Sequence, residues 1–337
     1  MEKMVGKKRV IGLGLITFLG CLVFLSHSAW VLAAPEAVTL KAVSILPKNE
    51  RTTIPFLEYM KRVNERSKGE IKIDYMGSRE AIAMRDQASA LVKGVIDINY
   101  TTSAFYANIV PCVSGEGLTR VSAVKGREMG MSEIQKKAHA ESGIYYLATL
   151  CSADGFMALF SNKPVDNPRT GFKGLRFRSN TPMIEFYKNL GLIGVVMDMG
   201  DVYSAMERSM VDGFYYPITS FLQASLNEVT KYMIDHPFSM GHTAILVNQN
   251  KWNQLSKPQQ DLMNEVGIEM EDWADKYWDR IISEDRETIK KKGVKFTYFK
   301  PEDAKWFVDL FYESRWTELV RECPKYGPKI KEIFFRP

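Results

Sequence analysis

The chain has 337 residues, with 45 Lys and Arg against 40 Asp and Glu, a formal net charge of +5 and 45% hydrophobic residues. So small a basic excess, with its cations interleaved among acids instead of gathered on one stripe, argues against nucleic acid as a partner. A chain of this length buries substantial cores and commonly divides into two domains.

Lys3, Lys7, Lys8 and Arg9 precede an apolar run over residues 10–24, and small residues follow at Ala33 and Ala34. That order predicts a secretory signal peptide over residues 1–33. Cleavage after Ala33 leaves Val31 and Ala33 at the two positions that demand small side chains, whereas cleavage after Ala34 would set the unfavourable Pro35 beside the cut. An uncleaved anchor is the competing reading, but the run falls short of the ~20 apolar residues a spanning helix needs. A lipid-modified Cys21 after Gly20 is a third, with Phe18 and Leu19 a poor lead-in. Loss of the leader removes four basic residues and Glu2, which lowers the net charge by three to about +2. The mature chain is expected to be soluble beyond the membrane it crossed.

Residues 40–46 are rich in strand formers, and residues 55–67 place Phe56, Tyr59, Met60 and Val63 on one helical face. Residues 71–75 alternate as a strand, residues 80–93 read as a second helix closed by Gly94, and residues 95–100 resume the sheet. This βαβαβ order implies parallel strands with crossover helices. After a break near residues 152–155 the same grammar restarts, with strands over 175–178, 194–197 and 211–215 and helices over 182–190 and 201–208. The fold class is therefore α/β with two lobes. Residues 257–292 form one long apolar stripe introduced by Ser256 and Gln259 at capping-box spacing. A single or gently kinked helix across both lobes is the favoured reading, and two helices broken near Gly267 the alternative.

Cys112, Cys151 and Cys323 follow the leader, and an odd count allows at most one internal pair. Cys112 with Cys151 is the favoured bridge, because both close short apolar segments before polar loops; buried free thiols stand equally open.

Gly171-Phe172-Lys173-Gly174-Leu175-Arg176-Phe177-Arg178, then Gly200-Asp201-Val202-Tyr203-Ser204-Ala205-Met206, then Val211-Asp212-Gly213 resemble, in order and spacing, the DctP family. These are the extracytoplasmic binding proteins of tripartite ATP-independent periplasmic (TRAP) transporters. Residues 95–99 and the run Leu246-Val247-Asn248 with Lys251, Trp252 and Leu255 are similar to further family segments. The resemblance implies a periplasmic-binding-protein-like clamshell that closes on a small organic acid and presents it to a membrane permease. It implies lobes formed by residues 34–153 plus 242–282 and by residues 154–241 plus 283–337. It also implies TRAP permease subunits as partners, a periplasmic location, and a monomer, with a dimer as the variant.

The family's strand arginine, which pairs with the ligand carboxylate, corresponds to Arg178. A guanidinium offers a permanent charge and a planar fork that fits a carboxylate through two bonds. Where relatives carry a second arginine and an asparagine against the ligand, this chain has Met157 in Gly155-Phe156-Met157 and Tyr216 in Gly213-Phe214-Tyr215-Tyr216-Pro217. A ligand with one carboxylate on Arg178 and an apolar or aromatic body against Met157, Tyr215 and Tyr216 follows, since a second charged end would lack partners. Lobe core is the other setting in which such side chains sit. Asn180, Tyr203, Asn49 and Phe105 complete the candidate ligand contacts, the last two in loops after strand ends.

Serine-nucleophile, zinc-protease, paired-cysteine and phosphate-loop motifs do not occur in the sequence, and His139, His236 and His242 lack companions at metal spacing. No cofactor, metal or catalysis is expected. A binding protein serving an ABC transporter or a sensor kinase, or an exported enzyme, are the alternative functions.

Overall fold

The computed structural model describes residues 37–179 and 183–335. The expected signal peptide and Asn180 lie outside the described residues. The described residues form one compact unit.

The strands are β1 (Val38–Ser44), β2 (Ile71–Gly77), β3 (Ile98–Thr101), β4 (Ile144–Cys151), β5 (Met157–Ser161), β6 (Arg176–Ser179), β7 (Ile193–Val196), β8 (Gly213–Pro217), β9 (Tyr232–Ile234), β10 (Thr243–Asn248) and β11 (Lys295–Thr297). They build two sheets, ordered β2-β1-β3-β10-β4 and β11-β9-β5-β8-β6-β7. In the first, β1 runs parallel to β2 and β3, because the helices Ile54–Arg66 and Gln87–Val92 carry the crossovers. In the second, β6 runs parallel to β7 and β8, with the helices Ile184–Leu190 and Val202–Glu207 between them. β10 joins the first sheet late and antiparallel, and β5 lies antiparallel to β8 and β9. The chain thus crosses between sheets three times within the fold, from β4 to β5, back from β9 to β10, and again from β10 to β11.

The long helix is unbroken from Lys257 to Lys291, and Ser256 and Gln259 form the capping box at its start. At 1.5 Å per residue it runs roughly 50 Å. Val266, Met270, Ala274 and Trp278 belong to the core of the first sheet, while Ile289 belongs to that of the second. Gly267 is not a break. A Cβ there would stand 2.6 Å from Leu147 Cδ2 and 3.3 Å from Ala148 Cβ, so the glycine lets the helix seat closely on β4.

Two expectations need correction. The helix over 80–93 forms only at Gln87–Val92, because residues before it turn and carry Met84 and Arg85 to a cavity wall. The disulfide joins Cys112 to Cys323, and Cys151 is a buried free thiol. Cys151 closes β4 against Phe156 and Gly241, where the crossover chain passes too tightly for a Cβ. The helices Pro301–Glu322 and Gly327–Phe334 went unpredicted. Their Phe307, Phe311, Trp316 and Leu319 share one core with Val113 and Leu118 from the first lobe and Phe172 and Phe186 from the second.

Candidate functional site

A cavity of about 170 Å³ opens where the carboxyl ends of strands from both sheets meet. Open α/β sheets place ligands there. Its walls include Ile45 and Leu46 after β1, Thr102 and Phe105 after β3, Arg178 near the end of β6, and Tyr215 and Pro217 in β8. The crossover segments add Phe156, Met240 and His242, so the chain between the sheets is itself wall. For scale, an apolar cavity of ~150 Å³ accommodates a benzene ring.

Arg178 is 6% exposed. β6 alternates Phe177 into the core and Arg178 toward the cavity, as strand geometry requires. Two hydrogen bonds to main chain fix the guanidinium: Nε donates to the Met197 carbonyl and Nη1 to the Tyr215 carbonyl, each at 3.1 Å. Its own carbonyl accepts from the Tyr187 hydroxyl at 3.0 Å. No carboxylate lies within ion-pair distance of it among the described residues. Burial therefore pulls its pKa below the ordinary arginine value, with Asp198 at the rim only partly offsetting this. A buried cation without a counter-ion carries a desolvation cost of several kcal/mol, which an incoming anion relieves.

Most of the remaining wall is apolar and adaptable. Met84, Met157, Met183, Met197, Met199 and Met240 line it together with Phe105, Phe156 and Phe311. Thioethers reshape around flat or irregular bodies. Tyr215 bonds Ser239 through its hydroxyl at 2.6 Å and keeps its ring on the wall.

Arg178, Met157, Tyr215 and Phe105 are thus brought together on the cavity wall. Three other candidates stand elsewhere. Tyr216 points to the opposite face of β8, where it packs against Phe214 in the second lobe's core, although the charge of Arg178 still reaches its hydroxyl. Tyr203 donates its hydroxyl to Glu228 at 2.9 Å, off the wall. Asn49 is exposed in a turn, and Thr52 of the same loop is the residue that reaches the cavity. Sequence reasoning missed Arg315, His242 and all the methionines but Met157, which arrive from segments without a recognisable motif.

Behind the cavity lies a buried polar cluster. Tyr146 donates to Glu116 at 3.0 Å and approaches Thr149 at 2.6 Å and His242 Nε2 at 3.4 Å. Burial pushes the Glu116 carboxyl up to about 8 and holds His242 down to about 3, so both are neutral at neutral pH. Arg127 grips Glu271 through two bonds of 2.6 Å on the far side.

Residues 43–318 match the family described as bacterial extracellular solute-binding protein, family 7, DctP. A solute-binding protein of Albidiferax ferrireducens is 22% identical over 270 residues, 76% of this chain and 78% of that protein. A TRAP periplasmic solute-binding protein from Desulfovibrio salexigens, solved with bound orotic acid, superposes with a TM-score of 0.79 at 20% identity, over 88% of this chain and 97% of that one. DctP7 of Bordetella pertussis, an extracytoplasmic solute receptor binding pyroglutamic acid, superposes at 0.78 with 13% identity, over 89% of this chain and 100% of its own. At these identities the structures establish the two-lobed fold.

Proposed function

The chain belongs to the bacterial extracellular solute-binding protein family 7, DctP, and we propose on that premise that it captures a small organic monocarboxylate in the periplasm and hands it, chemically unchanged, to the membrane subunits of a TRAP permease. The leader over residues 1–33 directs export and is removed near Ala33. Residues 34–153 with 242–282, and residues 154–241 with 283–337, act as the two jaws, and the long helix and the crossover segments between the sheets are the hinge they share.

One observation carries the reading. Arg178 is buried at the end of a strand, held by two carbonyls, and lines a mostly apolar cavity with no carboxylate of the described residues paired to it. Its fork receives the ligand carboxylate, and Met157, Tyr215 and Phe105 pack against an apolar or aromatic body. Orotic and pyroglutamic acids, bound by the two structural relatives, are both compact ring acids with one carboxylate.

The test is a thermal-shift screen of the mature protein against aromatic and cyclic monocarboxylates and against dicarboxylates. Stabilisation by members of the first group supports the reading. Stabilisation by dicarboxylates alone overturns it.

A further inference from the structure

A second guanidinium lines the same cavity. Arg315 arrives from the helix Pro301–Glu322, far from the strand motifs, with its side chain 8% exposed. Its Nη1 donates to Glu318, one turn further along the helix, and the guanidinium makes no other hydrogen bond to a described residue. Nε and Nη2 are therefore left as donors beside the cavity. Tyr215 links the two cations: its carbonyl accepts from Arg178, and its phenol lies within reach of the charge of Arg315.

The charges around the cavity separate the roles of the two arginines. Glu318 neutralises Arg315, and Arg85 stands 3.7 Å from Asp198 at the rim, both largely exposed. His242 is neutral. Arg178 alone among these lining groups keeps an unbalanced charge. A ligand bringing one negative charge satisfies Arg178. A second carboxylate at Arg315 would face Glu318, whose like charge repels it. A neutral carbonyl oxygen accepts from Arg315 with no such penalty, and a hydrogen bond from a charged donor is stronger than one from a neutral group.

We propose that Arg315 is a specificity residue that reads a carbonyl on the body of the ligand, so that the protein selects monocarboxylates bearing a second, uncharged acceptor, and that Glu318 excludes dicarboxylates by cancelling the charge of Arg315. This rests on the assignment of Arg178 to the carboxylate and adds the far end of the ligand. It also accounts for the lost second arginine of the family pattern: Met157 stands at that sequence position, while a cation reaches the cavity from the helix Pro301–Glu322.

Three probes separate the possibilities: cyclopentanecarboxylate, the same ring bearing a ketone, and the same ring bearing a second carboxylate. Calorimetry with the full mature protein should find the keto acid about tenfold or more tighter than the plain acid. Arg315→Met should bring that ratio to about one, and Glu318→Gln should tighten the ring dicarboxylate by about tenfold or more. Equal binding of keto and plain acids by the wild type, or an unchanged keto preference in Arg315→Met, overturns the role of Arg315. An unchanged dicarboxylate affinity in Glu318→Gln overturns the role of Glu318, and that variant keeps the arginine and so tests the idea even if Arg315→Met fails to fold. Failure of the underlying reading looks different: Arg178→Met would then bind all three acids as the wild type does.

Discussion

Cys112 and Cys323 are joined across 211 residues, their Cα atoms 5.2 Å apart, so the end of the helix that carries Arg315 is tied to the segment that carries Ser114 and Leu118 of the cavity wall. Closing so long a loop restricts the unfolded chain strongly, for a contribution of about 2–4 kcal/mol. Cys323→Ser, or reduction of the wild type, is expected to lower the melting temperature by about 3–6 °C. An unchanged melting temperature in the variant would show that the tie adds nothing to stability.

Gly213 sits where two elements nearly touch. A Cβ there would stand 2.3 Å from the Phe160 carbonyl oxygen and 2.4 Å from Phe177 Cζ, in the middle of the second sheet. The carbonyl belongs to a paired strand and Phe177 is fully buried, so neither neighbour yields easily. Gly213→Ala should destabilise the fold by about 2 kcal/mol or more, read as an earlier midpoint in urea. A midpoint equal to that of the wild type would mean that the strands part at little cost.

Glu116 should make stability depend on pH in a definite direction. Burial lifts its folded pKa from 4.5 to about 8, with the Glu271 charge adding and Tyr146 and Arg127 opposing. Because the folded pKa is raised, the folded state holds the proton that the unfolded state releases, and stability falls as pH rises from the unfolded value toward the folded one. His139 and His242, both held down to about 3, act oppositely and cost stability as pH falls below 6.5. Glu116→Gln keeps the shape and removes the titration. Its advantage in melting temperature over the wild type should be small at about pH 5 and widen toward about pH 8, each unit of pKa shift being worth about 1.4 kcal/mol. Melting curves that stay parallel across that range would contradict the assignment.

The sequence revealed what local chemistry encodes. Ser256 and Gln259 announced the long helix, and the Gly174-to-Gly213 segment announced the parallel strands that aim Arg178. Alternation also identified Tyr215 and Tyr216 as neighbours without saying which one faces the cavity, because both faces of β8 are buried and polarity gives no cue. The partner of Cys112 was hidden for another reason: nothing local distinguishes Cys151, at a strand end, from Cys323, at the end of the helix Pro301–Glu322. Arg315 was invisible on the same ground. Its helix has apolar residues on several sides, since it packs against both lobes, and so lacks the single stripe that periodicity detects.

The most direct measurement is calorimetric titration of Arg178→Ala and Arg178→Lys with the tightest acid found by the thermal-shift screen. The wild type is expected to bind one ligand with a dissociation constant of about a micromolar or tighter, about −8 kcal/mol. Loss of the guanidinium should remove most of that affinity, and lysine should restore little, because a single ammonium cannot reproduce the fork. Undiminished binding by a folded Arg178→Ala protein would contradict the account.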